Sequence, residues 1–245
     1  MARIFVPLPD RDFDVTEVAV PWKLWVEAGH EVVFATESGA VAAADPLLLS
    51  GVLFGQLGAE AEPKRFYAEM IASPSFQKPI AYGAIEPAGA DALHLAGGHA
   101  KGMRQYIASD VLHDRVVSFV KSGKPFGAIC HGTLVLARSV DPSTGKSVLH
   151  GLRTTCLPKY MERTAWLLTA WKLGDYYRTY PAYVEDEVRA SLARSEDFEL
   201  GPRVLTARGT RSDDGPAFVV EHGRYVSARW PGDSYLYAKK LAERL

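Results

Sequence analysis

Gly127-Ala128-Ile129-Cys130-His131-Gly132-Thr133-Leu134 is the stretch that decides the fold. A run of small and apolar residues stops at Ile129, and a helical pattern resumes immediately, over His131–Arg138. Small residues stand two before and two after the cysteine, at Ala128 and Gly132. That is the spacing of a nucleophile elbow, in which a strand turns sharply into a helix and presents one side chain at the top of an α/β sheet. The small neighbours are needed because the turn brings the chain close to itself. A cysteine placed there faces the unpaired N–H groups and positive end of a helix, which favours thiolate. His131, next in sequence, is placed to accept or donate its proton. The plain alternative is that Cys130 is a small buried hydrophobe; the elbow spacing and adjacent histidine outweigh it. Cys156, in Thr154-Thr155-Cys156-Leu157, has no such setting and reads as structural.

Outward from the elbow, strand and helix patterns alternate. Ala2–Val6, Glu31–Thr36, Asp91–Ala96 and Pro125–Ile129 read as short buried strands. Thr16–Ala28, Pro63–Ile71, Val111–Ser122 and Asp233–Leu245 read as helices, the first ending at Ala28-Gly29. Ala217–Glu221 and Tyr225–Ala228 flank Gly223 as a hairpin, while residues 38–60 show no clear period. Apolar strands alternating with helices predict an α/β fold with a mostly parallel sheet sandwiched by helices. Ligands bind such sheets at the carboxyl ends of the strands, which directs attention to the positions after Val6, Ala96 and Ile129. After Ala96, Gly97-Gly98-His99 offers backbone N–H groups to a developing oxyanion, beside that of His131. His99 itself reads as a turn or rim residue, since no metal-ligand spacing accompanies it. No repeat or linker divides the chain, so residues 1–245 read as one domain. Residues 159–192 are largely helical in pattern and carry Tyr160, Trp166, Trp171, Tyr176, Tyr177, Tyr180 and Tyr183. These aromatics read first as a cover packed on the core, and second as a cap that narrows the approach to Cys130.

Composition narrows the function classes. The chain has 245 residues, 47% apolar and 23% charged, with a formal net charge of −1. No basic surplus is available for a phosphate backbone, so nucleic acid is not an expected partner. Apolar runs such as Trp166–Leu168 are far too short to span a bilayer, and the first residues read as a strand rather than a leader. Two cysteines are too few for a disulfide framework or a cysteine-built zinc site. The expected setting is cytoplasmic, without membrane contact.

The residues resemble the PfpI/ThiJ superfamily, whose fold is flavodoxin-like and of the class I glutamine amidotransferase type. The likeness rests on Ala128-Ile129-Cys130-His131-Gly132, on Leu95-Ala96-Gly97-Gly98-His99, and on Glu17-Val18-Ala19-Val20-Pro21-Trp22 with Glu27-Ala28-Gly29 after it. Within the superfamily it is most similar to the branch of glutathione-independent glyoxalases and small heat-shock chaperones. The resemblance implies that Glu17 couples to Cys130 across the tops of neighbouring strands; alone, Glu17 would read as an acidic first-turn residue complementing the helix dipole. It also implies a downstream acid that orients the histidine, a role that falls on Glu162. The activity implied is a glyoxalase-type lyase, or a related cysteine hydrolase, converting methylglyoxal or glyoxal to a 2-hydroxy acid with neither cofactor nor metal. The alternatives are a stress-protective chaperone or redox sensor with an oxidisable cysteine, and a small amide or peptide hydrolase. Family members are commonly homodimers. The stretch Arg229-Trp230-Pro231-Gly232-Asp233 departs from the family's last hairpin.

Overall fold

A computed structural model describes residues 1–51 and 57–245. The strands of its main sheet are β1 (Arg3–Pro7), β2 (Glu31–Thr36), β3 (Ile80–Ala81), β4 (Ala92–Leu95), β5 (Phe126–Ile129), β6 (Val219–His222) and β7 (Tyr225–Ala228). They form one sheet in the order β6-β7-β5-β4-β1-β2-β3. Every pairing is parallel except the β6–β7 hairpin. β1, β4 and β5 are buried through almost their whole length, as their unbroken apolar character predicts. The expected mostly parallel sheet flanked by helices is the observed fold.

The main helices are α1 (Val15–Glu27), α2 (Ala61–Ile71), α3 (Asp110–Lys121), α4 (Gly132–Arg138), α5 (Lys159–Leu173), α6 (Val184–Ser191) and α7 (Ser234–Ala242). α1 packs against α2 and α7, and α4 against α3 and α6. Two departures from the sequence pattern matter. Val111, in the first turn of α3, faces solvent, while Leu112, Val116 and Phe119 carry the buried face of that helix. The stretch 159–192 is not one helical cover: α5 ends at Gly174, whose φ of +56° suits a residue without Cβ. An irregular segment, 174–183, separates α5 from α6. The unpatterned stretch 38–60 contains the helix Pro46–Ser50, and its residues 52–56 lie outside the described ones.

Pro21 inside α1 is the local detail that ties this helix to the sheet. A proline has no N–H, so the carbonyl four residues earlier, that of Glu17, loses its helical partner. His94 of β4 fills the gap: its Nε2 lies 2.9 Å from the Glu17 carbonyl. Its Nδ1 lies 2.7 Å from the Tyr237 hydroxyl of α7. A carbonyl only accepts, so Nε2 carries the imidazole proton and Nδ1 accepts from tyrosine. Burial pushes the His94 value down to about 4, which keeps the ring neutral. Trp25 of α1 packs edge-on against the same imidazole, with ring centres 5.3 Å apart, and its Nε1 donates to the Ala238 carbonyl at 3.0 Å.

Candidate active site

β5 ends at Ile129, α4 begins at Gly132, and Cys130 makes the turn in the left-handed region with φ of +56°. A non-glycine residue there costs on the order of 1 kcal/mol, and it persists only where its surroundings over-determine it. They do so here. The Cys130 N–H donates to the Ala228 carbonyl of β7 at 3.1 Å, and the Cys130 carbonyl accepts from the Thr133 hydroxyl at 2.7 Å. Gly132 admits no side chain, because a Cβ there would collide with the Leu95 carbonyl and lie 2.8 Å from that of Ala96. The elbow is thus pressed onto the end of β4, as its small flanking residues predict.

Three groups meet at the end of β4. A Cβ on Gly97 would lie 2.7 Å from Glu17 Oε2, 2.7 Å from the His131 nitrogen and 2.9 Å from Cys130 Cβ. Glu17 arrives through an altered helix cap. Asp14 caps α1 by accepting from the Thr16 and Glu17 amides at 2.8 and 3.0 Å. In an ordinary capping box the third helical residue, a glutamate, would reach back to the cap's own N–H. Here that N–H donates to the Gly97 carbonyl at 2.9 Å, and the Glu17 carboxyl instead accepts from the Gly97 N–H at 2.8 Å. The carboxyl lies against the Cys130 sulfur, and its Oε1 has no hydrogen-bond partner within the protein. The Asp-x-x-Glu spacing of Asp14 and Glu17 was the signal in the sequence for this cap.

His131 completes the contact, its Nδ1 3.4 Å from the Cys130 sulfur. Its Nε2 lies 3.2 Å from the Thr179 hydroxyl, which donates to the His99 carbonyl at 2.7 Å. The place at the imidazole that the resemblance gave to Glu162 is therefore held by Thr179. Glu162 is buried elsewhere: it accepts from the Val184 N–H at 3.1 Å, at the start of α6, and lies 3.9 Å from Arg178. Nothing in the local pattern around Thr179 marks it, since 48 residues separate it from His131.

Burial dominates the electrostatics. Glu17 is held well above the ordinary carboxyl range, first by burial and then by Asp14, with the Gly97 N–H pulling the other way. The Cys130 thiol is also pushed well up, by burial and then by Glu17 and Asp14, while the His131 N–H opposes the rise. The thiolate expected from the helix end is outweighed, because Cys130 is only 3% exposed. Burial, with His99 adding to it, brings His131 down to about 3, and the ring is neutral.

The cover is aromatic. His99, half-buried, stacks on Tyr177 with ring centres 4.3 Å apart and meets Tyr176 edge-on at 5.0 Å. Its Nε2 is buried without a partner. The Tyr176 hydroxyl donates to Asp45. Of the amides expected to face an oxyanion, that of Gly97 is committed to Glu17. Among the described residues, no three histidine, cysteine or acidic side chains group as a metal site, and no helix is long and apolar enough to cross a membrane.

Comparison with known proteins bears on the family and the fold. An uncharacterized protein of Schizosaccharomyces pombe is 29% identical over 98% of this chain and 82% of its own length. Among solved structures, glyoxalase III from Candida albicans shares the fold with a TM-score of 0.70 at 18% identity, over 99% of this chain and 97% of that one. The Francisella tularensis Rapid Encystment Protein matches with a TM-score of 0.73 at 15% identity, over 100% and 99%. Drosophila melanogaster DJ-1beta matches with 0.56 at 16%, over 99% and 89%. The family model for ThiJ/PfpI family-like proteins matches residues 8–202, a span that includes Glu17, the Gly97-Gly98 loop, the elbow and Thr179 alike, and the chain therefore belongs to the ThiJ/PfpI-like family.

Proposed function

We propose that this chain is a cysteine-dependent enzyme acting on small reactive carbonyls, of the glyoxalase type, with methylglyoxal or glyoxal as substrate. The observation that carries the reading is the convergence of a sulfur, a neutral imidazole at 3.4 Å and a carboxyl that burial holds well above the ordinary range on one strand end. The likeness in fold to a glyoxalase III supports it. The Cys130 sulfur adds to the aldehyde carbon while its proton passes through His131 to the aldehyde oxygen, giving a hemithioacetal. Neutral His131 removes the hydrogen from that carbon and returns a proton to the neighbouring one through an enediol, leaving a thioester. Water then cleaves the carbon–sulfur bond, releasing a 2-hydroxy acid and restoring the thiol. The Gly98 and His131 amides are the donors to the oxyanion. The closed cover excludes water from the enediol, so segment 174–183 must lift for substrate to arrive.

A redox-sensor reading fits less well, because oxidation follows thiolate character and exposure, and Cys130 has neither in the closed form. One feature favours a chaperone: α5 presents Leu167, Leu168 and Trp171 to solvent, at 58%, 59% and 72% exposure. The deciding experiment follows methylglyoxal loss with wild type and Cys130→Ala. Loss in wild type alone is the expected result. No loss in wild type rejects the enzyme, equal loss in both rejects Cys130, and aggregation suppressed equally by both proteins would point to the chaperone.

A further inference from the structure

The Thr179 hydroxyl has one hydrogen to give. The His99 carbonyl, 2.7 Å away, can only accept, so the hydroxyl donates there. Toward His131 Nε2, 3.2 Å away, it then presents lone pairs, and Nε2 must carry the imidazole's proton. A neutral imidazole has a single N–H. Nδ1 is left as an acceptor, and Nδ1 is the atom 3.4 Å from the Cys130 sulfur.

We propose that Thr179 is the positioning residue of this site: it holds His131 in the Nε2–H tautomer that can take the Cys130 proton, and it does so only while segment 174–183 is down. This rests on the reading of Cys130 and His131 as the reacting pair. When the proton crosses from sulfur to Nδ1, the ring becomes imidazolium with both N–H groups already provided for, one toward the sulfur and one toward Thr179. No atom other than the proton need move.

The second half of the proposal comes from how the segment is fastened. Thr179 belongs to the cover, not to the sheet. Its carbonyl accepts from Arg104 Nε at 2.7 Å. Its neighbour Tyr180 lies beneath the guanidinium groups of Arg104 and Arg138, at 5.6 and 4.2 Å from the ring centre, and Tyr176 is latched to Asp45. Lifting this segment to uncover the sulfur withdraws the Thr179 hydroxyl in the same movement. The open site then has an imidazole with no fixed tautomer, and closing over a substrate both shuts out water and arms the base. An acidic side chain at Thr179's place would raise the basicity of the ring whether or not substrate were present; a neutral hydroxyl sets its direction alone.

The test separates this from the proposed activity. Long-range 15N spectra of histidine-labelled protein report which ring nitrogen of each imidazole is protonated, with the His131 signals identified by their loss in His131→Gln. Wild type is expected to show His131 protonated at Nε2. Thr179→Val, of the same shape but without an acceptor, is expected to lose that preference, and Thr179→Ser to keep it, with the His94 signals unchanged in both as the control for folding. Methylglyoxal kcat is expected to fall about 10–100-fold in Thr179→Val, the range for losing an outer partner that fixes an imidazole, with KM little changed, and to recover in Thr179→Ser. A wild-type ring protonated at Nδ1, an unaltered nitrogen pattern in Thr179→Val, or an unaltered kcat in an active enzyme would each overturn the proposal. A wild type without dicarbonyl turnover would reject the enzyme reading, and the nitrogen spectra would still decide the role of Thr179.

Discussion

Glu162→Gln gives the sharpest test of how the carboxyls of this protein are disposed. Glu162 is 3% exposed, and burial raises its carboxyl from the ordinary 4.5 to about 7, against the opposing pull of the Val184 N–H and Arg178. The folded protein therefore binds this proton more tightly than the unfolded chain does. Its stabilising effect is complete below the unfolded value and disappears as pH rises from 4.5 through about 7. At about 1.4 kcal/mol for each pH unit, the rise corresponds to roughly 3 kcal/mol of stability lost by pH 8.5. Glutamine keeps an oxygen for the Val184 N–H and never ionises. Urea unfolding of wild type and variant should then give stabilities within about 0.5 kcal/mol of each other at pH 4. At pH 8.5 the variant should be more stable by roughly 3 kcal/mol. Since Thr179 occupies the place beside the imidazole, dicarbonyl turnover should remain within a few-fold of wild type. A stability difference that does not change between the two pH values would refute the electrostatic argument, and a collapse of turnover would return Glu162 to the catalytic group.

Two further outcomes are expected of the same structure. Gly97→Ala should leave the sheet order intact but lower stability by about 1–3 kcal/mol and abolish Cys130 chemistry. Its methyl group would intrude on Glu17 and Cys130 at 2.7 and 2.9 Å, so normal turnover would contradict the close convergence of acid and sulfur at the end of β4. His94, brought down to about 4 by burial, should stay neutral in an NMR titration down to pH 5. As pH falls from 6.5 toward 4 the unfolded chain takes up this proton first, at a cost of roughly 3 kcal/mol to the fold; a His94 midpoint near 6.5 would show that the ring is not enclosed.

The parts of this molecule that could be read from the sequence are those encoded within a few residues. Ala128, Cys130 and Gly132 announce an elbow because the steric demands of the turn fall on the turn itself. β1, β2, β4 and β5 are legible because strands covered on both faces have no reason to alternate. Glu17 was reachable only through the family resemblance, since alone it reads as an acidic residue in the first turn of a helix. The partner of His131 was not. Its selection depends on where segment 174–183 comes to rest, and that is fixed by contacts such as Tyr176 with Asp45, 131 residues apart, with no period to betray them. The aromatic run shows the same limit. Trp171 and Tyr177 look alike in sequence, yet Gly174 between them ends the helix, leaving the first 72% exposed and the second 8%. Thiolate character is hidden from the sequence for a related reason: the field of a helix end is local, whereas the desolvation that opposes it is a property of the assembled site.

Pro21 acts in this fold as a missing amide. A helix normally secures its own opening turn, so the acid on that turn would drift with any fraying of the end. By leaving the Glu17 carbonyl unclaimed for His94, the proline transfers that responsibility to the centre of the sheet. The backbone beneath the carboxyl is indexed to the same strand whose end carries Gly97, so donor and acceptor share one rigid foundation. Any replacement that restored the amide would let the helix hold its own turn again, and the reference between acid and sulfur would be set by two bodies instead of one.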